Sequence, residues 1–320
     1  MQTVGLYYVE PYRVELREFE LGAPDLYEVQ IELKASGLCA WDLHLFEGGL
    51  SGAMRYPLLH GHEGAGVVTA VGERVHAFKP GDPVTAMGND SALLGRHANV
   101  PQQYVARLPQ GVTDFENWIA EPVACVMNGL EWSRLVPGDR VAVVGTGFMG
   151  LMLVQGLAYS LVSEIIAIDV DDERLAMAET FGADRSINAA TDKGQAQIEA
   201  LAGEPVDVVI ECAGNQAGFD IANAIVRRGG RLNIFSAQRG DPRQVSLSRW
   251  HSLGVQAYAS SPSIAPDFPS IFARTVPMMA RGVFDLEPLV THVFPPQQAQ
   301  ELFELALARR DGYIKGVIRW

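Results

Sequence analysis

Residues 141–150 read VAVVGTGFMG, an apolar run that enters Gly145, Gly147 and Gly150 at the G-x-G-x-x-G spacing and continues into a helix-period stretch. No other segment restricts the fold as much. The first glycine permits a tight turn, the second lets the backbone approach a pyrophosphate, and the third lets helix and strand pack closely. Phosphates would then lie at the positive end of the helix, with Phe148 and Met149 between the second and third glycines. The next apolar strand, EIIAIDV, reaches Asp169 nineteen residues after Gly150. A carboxylate there accepts hydrogen bonds from both adenosine ribose hydroxyls and repels a 2'-phosphate, which favours NAD over NADP. Arg174 complicates that choice, because a guanidinium can stack on adenine or accommodate a phosphate.

The strand and helix periods keep alternating from about Val123 to residue 260, through VDVVIECAG, FDIANAIVRRGG, RLNIFSA and GVQAYAS. Apolar strands alternating with amphipathic helices imply an α/β fold, a doubly wound parallel sheet covered on both faces. The first 110 residues differ: short strands punctuated by Gly and Pro predict an antiparallel β-rich region. After the α/β segment come two helical stretches and a last strand, YIKGVIRW, which needs a sheet to join. The expected organisation is therefore a β-rich catalytic domain over 1–121, a Rossmann domain over 122–262, and a return to the first domain over 263–320.

A net charge of −13 opposes binding to nucleic acid or to anionic membranes, so small molecules and other subunits are the expected partners. The run over 141–159 is nearly long enough to span a bilayer, but its glycines fit a strand turning into a buried helix, and no membrane segment is predicted. With no secretion signal read at the N-terminus and only three cysteines, Cys39, Cys125 and Cys212, the expected location is the reducing cytoplasm.

Three short stretches carry metal-ligand chemistry: GLCAWDLH with Cys39, HGHEGAGVV with His62 and Glu63, and AEPVAC with Glu121. The pair His62–Glu63 suggests H-E-x-x-H, but the residue four after His62 is Gly66, which excludes the metalloprotease motif. Together the four residues offer one sulfur, one nitrogen and two oxygens. That set suits tetrahedral Zn2+ with three firm protein ligands and an exchangeable fourth position. Taken singly, each has an ordinary structural reading: a buried cysteine, a packed histidine, a glutamate opening a helix.

In these motifs the chain resembles the medium-chain dehydrogenase/reductase superfamily, specifically its zinc-dependent alcohol and polyol (sorbitol) dehydrogenases. GLCAWD is similar to G-[IL]-C-x-[ST]-D, GHEGAGVVTAVG to G-H-E-x-x-G-x-V, FKPGDPV to F-x-x-G-D-x-V, and AEPVAC to the E-P element of the sorbitol dehydrogenase branch. The resemblance covers nearly the whole chain. It implies a GroES-like catalytic domain beside the Rossmann domain, zinc ligated by Cys39, His62 and one or both of Glu63 and Glu121, and Asp42 hydrogen-bonded to the ligand histidine. It also implies His44 as the end of a proton relay, Cys212 near the nicotinamide ribose, Lys315 near the cofactor phosphates, and a homodimer or homotetramer that pairs through GVQAYAS.

Two departures from the family pattern change the expected chemistry. Where many members keep four cysteines for a second, structural zinc, MGNDSALLGRHANVPQQYV has none, so a single catalytic zinc is expected. Where they keep Ser or Thr two residues after the cysteine, this chain has Trp41, whose indole donates but cannot relay a proton. The proton would then leave by ordered water, by Glu63 or directly to solvent, and Trp41 would face the substrate as an apolar plate or pack in the core.

The expected activity is zinc-dependent transfer of hydride to NAD from a secondary alcohol of a polyol, sugar or cyclitol. Two alternatives compete with it: a zinc-free, NADPH-dependent quinone or enone reductase of the same superfamily, and a nucleotide-binding protein without turnover. The ligand set and Asp169 oppose the first, and only Trp41 encourages the second.

Overall fold

The apolar run Arg140–Val144 is the middle of a six-stranded, all-parallel sheet, and four of its five side chains are fully buried because helices cover both faces. The computed structural model describes residues 1–49, 54–88, 92–201, 203–237 and 242–320, in two units: Cys125–Phe268, and Met1–Ala124 with Pro269–Trp320.

In the first of these units the strand order across the sheet is Arg185–Asn188, Glu164–Asp169, Arg140–Val144, Val206–Glu211, Val226–Ile234, Gln256–Ala259. Numbered along the chain this is 3-2-1-4-5-6, the Rossmann order, and it matches the doubly wound sheet expected from the alternation of periods. The order reverses between strands Arg140–Val144 and Val206–Glu211, whose carboxyl ends lead to Gly145 and Cys212. Ligands of open α/β sheets bind at such a reversal. The core joins Val144, Ile166 and Ile168 of the strands to Ile198, Phe219 and Ile225 of the covering helices. One element departs from the sequence reading. The helix in FDIANAIVRRGG stops at Ile225, and Val226 already begins the next strand without an intervening loop. A register irregularity between Val206 and Val208, together with Gly229 at φ +65°, absorbs the abrupt change.

In the other unit the strand Glu28–Leu38 pairs antiparallel with Glu63–Val71, His97–Pro101 and Lys315–Arg319. The last strand of the chain therefore lies in this sheet, with Gly316 opposite Leu38, while Gly64 lies opposite Ser36. This register brings Cys39, His62, Glu63 and Lys315 to one end of the sheet, although they are far apart in sequence. Two apolar clusters support it, one around Ile31, Leu33, Val84 and Val100, the other around Leu6, Tyr8, Phe46 and Phe303. Among the described residues no helix is long and apolar enough to cross a membrane.

Candidate metal centre and nucleotide turn

Cys39 ends the strand Glu28–Leu38 and caps the helix Ala40–Phe46. Asp42, on the first turn of that helix, reaches back so that Oδ2 accepts the Cys39 amide at 2.8 Å, which fixes the cysteine backbone. His62 and Glu63 follow Gly61, whose φ of +106° no side chain would adopt comfortably and whose added Cβ would meet the Leu94 nitrogen at 2.4 Å. One ligand atom each from Cys39, His62 and Glu63 lies within 4.8 Å of the other two. A thiolate, an imidazole and a carboxylate so placed fit Zn2+ by donor chemistry. Glu121, buried at the start of the helix Glu121–Trp132, stands outside that trio, but its charge acts on His62.

Electrostatics bind the cluster further. Burial alone would lower the His62 pKa, but the adjoining Cys39, then Asp42 and Glu121, outweigh it and raise the imidazole well above its ordinary value. Burial pushes Asp42 upward, yet the neighbouring His60 and His62 and the Cys39 amide hold it below the usual carboxylate range. Asp42, expected to hydrogen-bond the ligand histidine, lies close enough to His62 for the two charges to act on each other. Asp42 accepts from Tyr8 and from Cys39, and His60 Nδ1 stands 3.7 Å from its Oδ1. Lys315 is only 3% exposed, and its ammonium lies 2.5 Å from Glu63 Oε2 and donates to the Leu38 carbonyl at 3.0 Å. Burial opposes the charge on Lys315, but Glu63 and Cys39 more than offset this and raise its pKa. Beside it, burial pushes the Tyr313 phenol up to about 12.

Sequence reasoning left out Tyr8 and His60 and assigned Lys315 to other work. The doubled histidine of HGH was the one available signal for His60. Trp41 and His44 lie on the short helix, ring centroids 5.3 Å apart. Trp41 is half-buried against the cluster that contains Phe46 and Phe303, while the His44 ring fills the space above Gly49, where an added Cβ would meet it at 2.1 Å.

In the nucleotide unit, Gly145 takes φ +97°, and an added Cβ would lie 2.6 Å from the Ala213 nitrogen. Gly150 packs against the turn, its hypothetical Cβ 2.0 Å from the Gly145 carbonyl oxygen. Gly147 differs: a Cβ there would find no atom within 4 Å, so this glycine keeps open space in front of the helix Phe148–Ala158. The Thr146 hydroxyl beside it is buried without a hydrogen-bond partner. Open space and an orphaned hydroxyl at a helix N-terminus fit a phosphate-bearing cofactor. Asp169 Oδ2 accepts from the Thr146 amide at 2.6 Å and Oδ1 from the Val170 amide at 2.7 Å, so the acid and the glycine turn are one assembly. Arg174, half-buried, lies 3.7 Å from Asp171, the cap of its own helix. Burial, with Glu211 adjacent, raises the Cys212 thiol well above its usual value, which leaves it a poor nucleophile.

Comparison with known proteins agrees with both halves. Residues 25–110 match the alcohol dehydrogenase GroES-like domain and 149–270 the zinc-binding dehydrogenase domain. An alcohol dehydrogenase of Moraxella sp. (strain TAE123) is 30% identical over 259 residues, 71% of this chain and 75% of that protein. The chain belongs to the zinc-type alcohol dehydrogenases of the medium-chain dehydrogenase/reductase superfamily. Another relative of this zinc-type dehydrogenase is the sorbitol dehydrogenase of Bacillus subtilis, 28% identical with 95% of this chain and 94% of the relative covered. Among solved structures, an oxidoreductase/dehydrogenase of unknown specificity from Escherichia coli superposes with a TM-score of 0.89 at 27% identity, covering 100% and 99% of the two chains. The GroES-like and Rossmann domains expected from the sequence are those of this family.

Proposed function

We propose that this zinc-type dehydrogenase oxidises a secondary alcohol of a polyol, sugar or cyclitol with NAD as the acceptor. The convergence of Cys39, His62 and Glu63 within 4.8 Å carries the reading, because sulfur, nitrogen and oxygen donors in one partly buried cluster are what a catalytic zinc requires. The B. subtilis relative that spans nearly the whole chain is a sorbitol dehydrogenase, which supports a polyhydroxylated substrate.

When bound, zinc supplies the Lewis acidity that lowers the pKa of a hydroxyl, and NAD supplies a hydride acceptor. The residues of the chain do the rest. Cys39 and His62, with a carboxylate, would hold the metal, and Asp42 fixes the Cys39 backbone through its amide. Gly147 keeps room for the pyrophosphate, while Asp169, pinned to the turn through Thr146, selects a ribose with free hydroxyls. Glu63 is ion-paired with Lys315, so the substrate proton leaves by water and His44. Trp41 forms an apolar wall in place of the usual hydroxyl. The protein acts as a homodimer or homotetramer in the cytoplasm.

Metal content by elemental analysis, with NADH and NADPH production followed over a panel of polyols on the same preparation, tests the proposal. One zinc per chain and oxidation linked to NAD is the expected result. Activity that survives complete zinc removal would overturn it.

A further inference from the structure

The edge of the parallel sheet opposite the glycine turn carries a second concavity. The strand Val206–Glu211 leads at one end to Cys212, beside that turn, and at the other follows Pro205, which lines an open cleft of about 750 Å³. A strand of this length sets its two ends about 20 Å apart. Ligands of open α/β sheets bind at the carboxyl ends of the strands, so a cleft at the amino ends is not part of the cofactor site. Three guanidinium groups line it, Arg227, Arg228 and Arg249, together with Glu204.

These charges are not equally committed. Arg227 Nε lies 2.6 Å from Asp207, and Glu204 is paired with Arg140 and Arg185, each at 3.0 Å. Both are therefore balanced within the protein. Arg249 donates to backbone instead, to the Asn223 carbonyl at 3.3 Å and the Ala224 carbonyl at 2.9 Å in the last turn of the helix Gln216–Ile225. Among the described residues no carboxylate pairs with Arg249, and Arg228, which is exposed, makes neither a side-chain hydrogen bond nor an ion pair. Two positive charges are left over on one cleft of a chain whose net charge is −13. Beside them Val226 and Leu253 add an apolar wall.

We propose that this cleft is a second ligand site, which takes a phosphate monoester dianion carried on a small organic group. The two surplus charges match the dianion, and guanidinium forks match phosphate oxygens in pairs. The apolar wall serves an organic group and would be idle beside a bare anion. The volume falls within the roughly 300–1,000 Å³ of small-molecule sites.

Titration calorimetry and thermal melts of the full chain, in chloride buffer of low ionic strength with glucose 6-phosphate as the probe, test this. Wild type should bind the probe and melt higher in its presence. Arg228→Ala removes no bond within the protein, so it should keep the melting temperature of the free wild type and bind the probe at least about tenfold more weakly. Arg228→Lys, which keeps the charge and loses the fork, should fall between the two. Dimethyl phosphate, a monoanion, should bind wild type more weakly than the dianion. A wild type that shows neither binding heat nor a raised melting temperature at millimolar probe would overturn the proposal, as would dimethyl phosphate binding as tightly as glucose 6-phosphate. Wild-type affinity in Arg228→Ala would also overturn it, and displacement of the probe by NADH in that variant would place the phosphate at the glycine turn.

Discussion

The Tyr8 hydroxyl donates a 3.0 Å hydrogen bond to Asp42 Oδ1, and both side chains are fully buried. The bond links the strand Gln2–Glu10 to the helix that carries Cys39. Burial, with the Asp42 charge close by, raises the Tyr8 pKa well above its ordinary value, so the phenol keeps its proton and remains a donor. Tyr8→Phe removes that donor and leaves a buried carboxylate oxygen short of a partner. The expected cost is about 1–3 kcal/mol, measured by denaturant unfolding of the zinc-free protein. A change below about 0.5 kcal/mol, the range of neutral surface substitutions, would show that Asp42 does not depend on Tyr8.

The three glycines of the nucleotide turn make separable demands. Gly145→Ala must hold an alanine at φ +97° against the Ala213 backbone and should lose about 1–3 kcal/mol from the strained conformation alone. Gly147→Ala meets no atom within 4 Å, so the fold should be unaffected. Its methyl group would stand where the backbone approaches the pyrophosphate, and NADH affinity by fluorescence titration should fall at least about tenfold. Equal thermal stability losses in the two variants would contradict this division of roles.

The difference between what could and could not be read from the sequence follows from contiguity. Gly145 to Asp169 is one strand, turn, helix and strand, each closing on its neighbour, so local periods and one motif located the nucleotide site. Cys39, His62 and Glu63 were legible because each sits inside a short family motif. The partners of these residues were not. Lys315 meets Glu63 because the last strand pairs with Glu28–Leu38, and Tyr8 meets Asp42 because the first strand packs against the helix Ala40–Phe46, and no local pattern encodes either contact. The strand starting at Val226 was misplaced for a related reason. Its first residues, VRRGG, lack strand character, and pairing to Val206–Glu211 imposes it.

Acid should destabilise the nucleotide unit through Asp207. Burial would raise this carboxyl, but its bonds from the Arg140 amide at 2.8 Å and Arg227 Nε at 2.6 Å prevail and hold it below the ordinary range. A carboxylate with a depressed folded pKa contributes its full stability above the unfolded value of about 3.9 and loses it as pH falls through the folded one. Asp207→Asn should therefore be less stable than wild type at neutral pH, and the gap should close in thermal melts carried below about pH 3.9. A gap independent of pH would mean that the amide differs from the carboxylate through packing and not through charge.

The proposed preference for NAD would rest on how Asp169 is held at the glycine turn. Because one oxygen accepts from Thr146 at 2.6 Å and the other from Val170 at 2.7 Å, its charge is held in front of the glycine turn and is not free to swing away from an approaching 2'-phosphate. Asp169→Ser removes the charge and shortens the side chain, so it should lower kcat/KM for NAD and raise it for NADP. The change in their ratio should be at least about tenfold, which corresponds to about 1.4 kcal/mol of differential binding. Arg174 lies on the following helix, 3.7 Å from Asp171. If that guanidinium accommodates the phosphate once the repelling charge is gone, Asp169→Ser/Arg174→Ala should lose the gain with NADP while NAD turnover stays at the level of the single variant. Steady-state kinetics with both nucleotides on the three proteins would decide, and an unchanged NAD to NADP ratio in Asp169→Ser would place the selecting residue elsewhere.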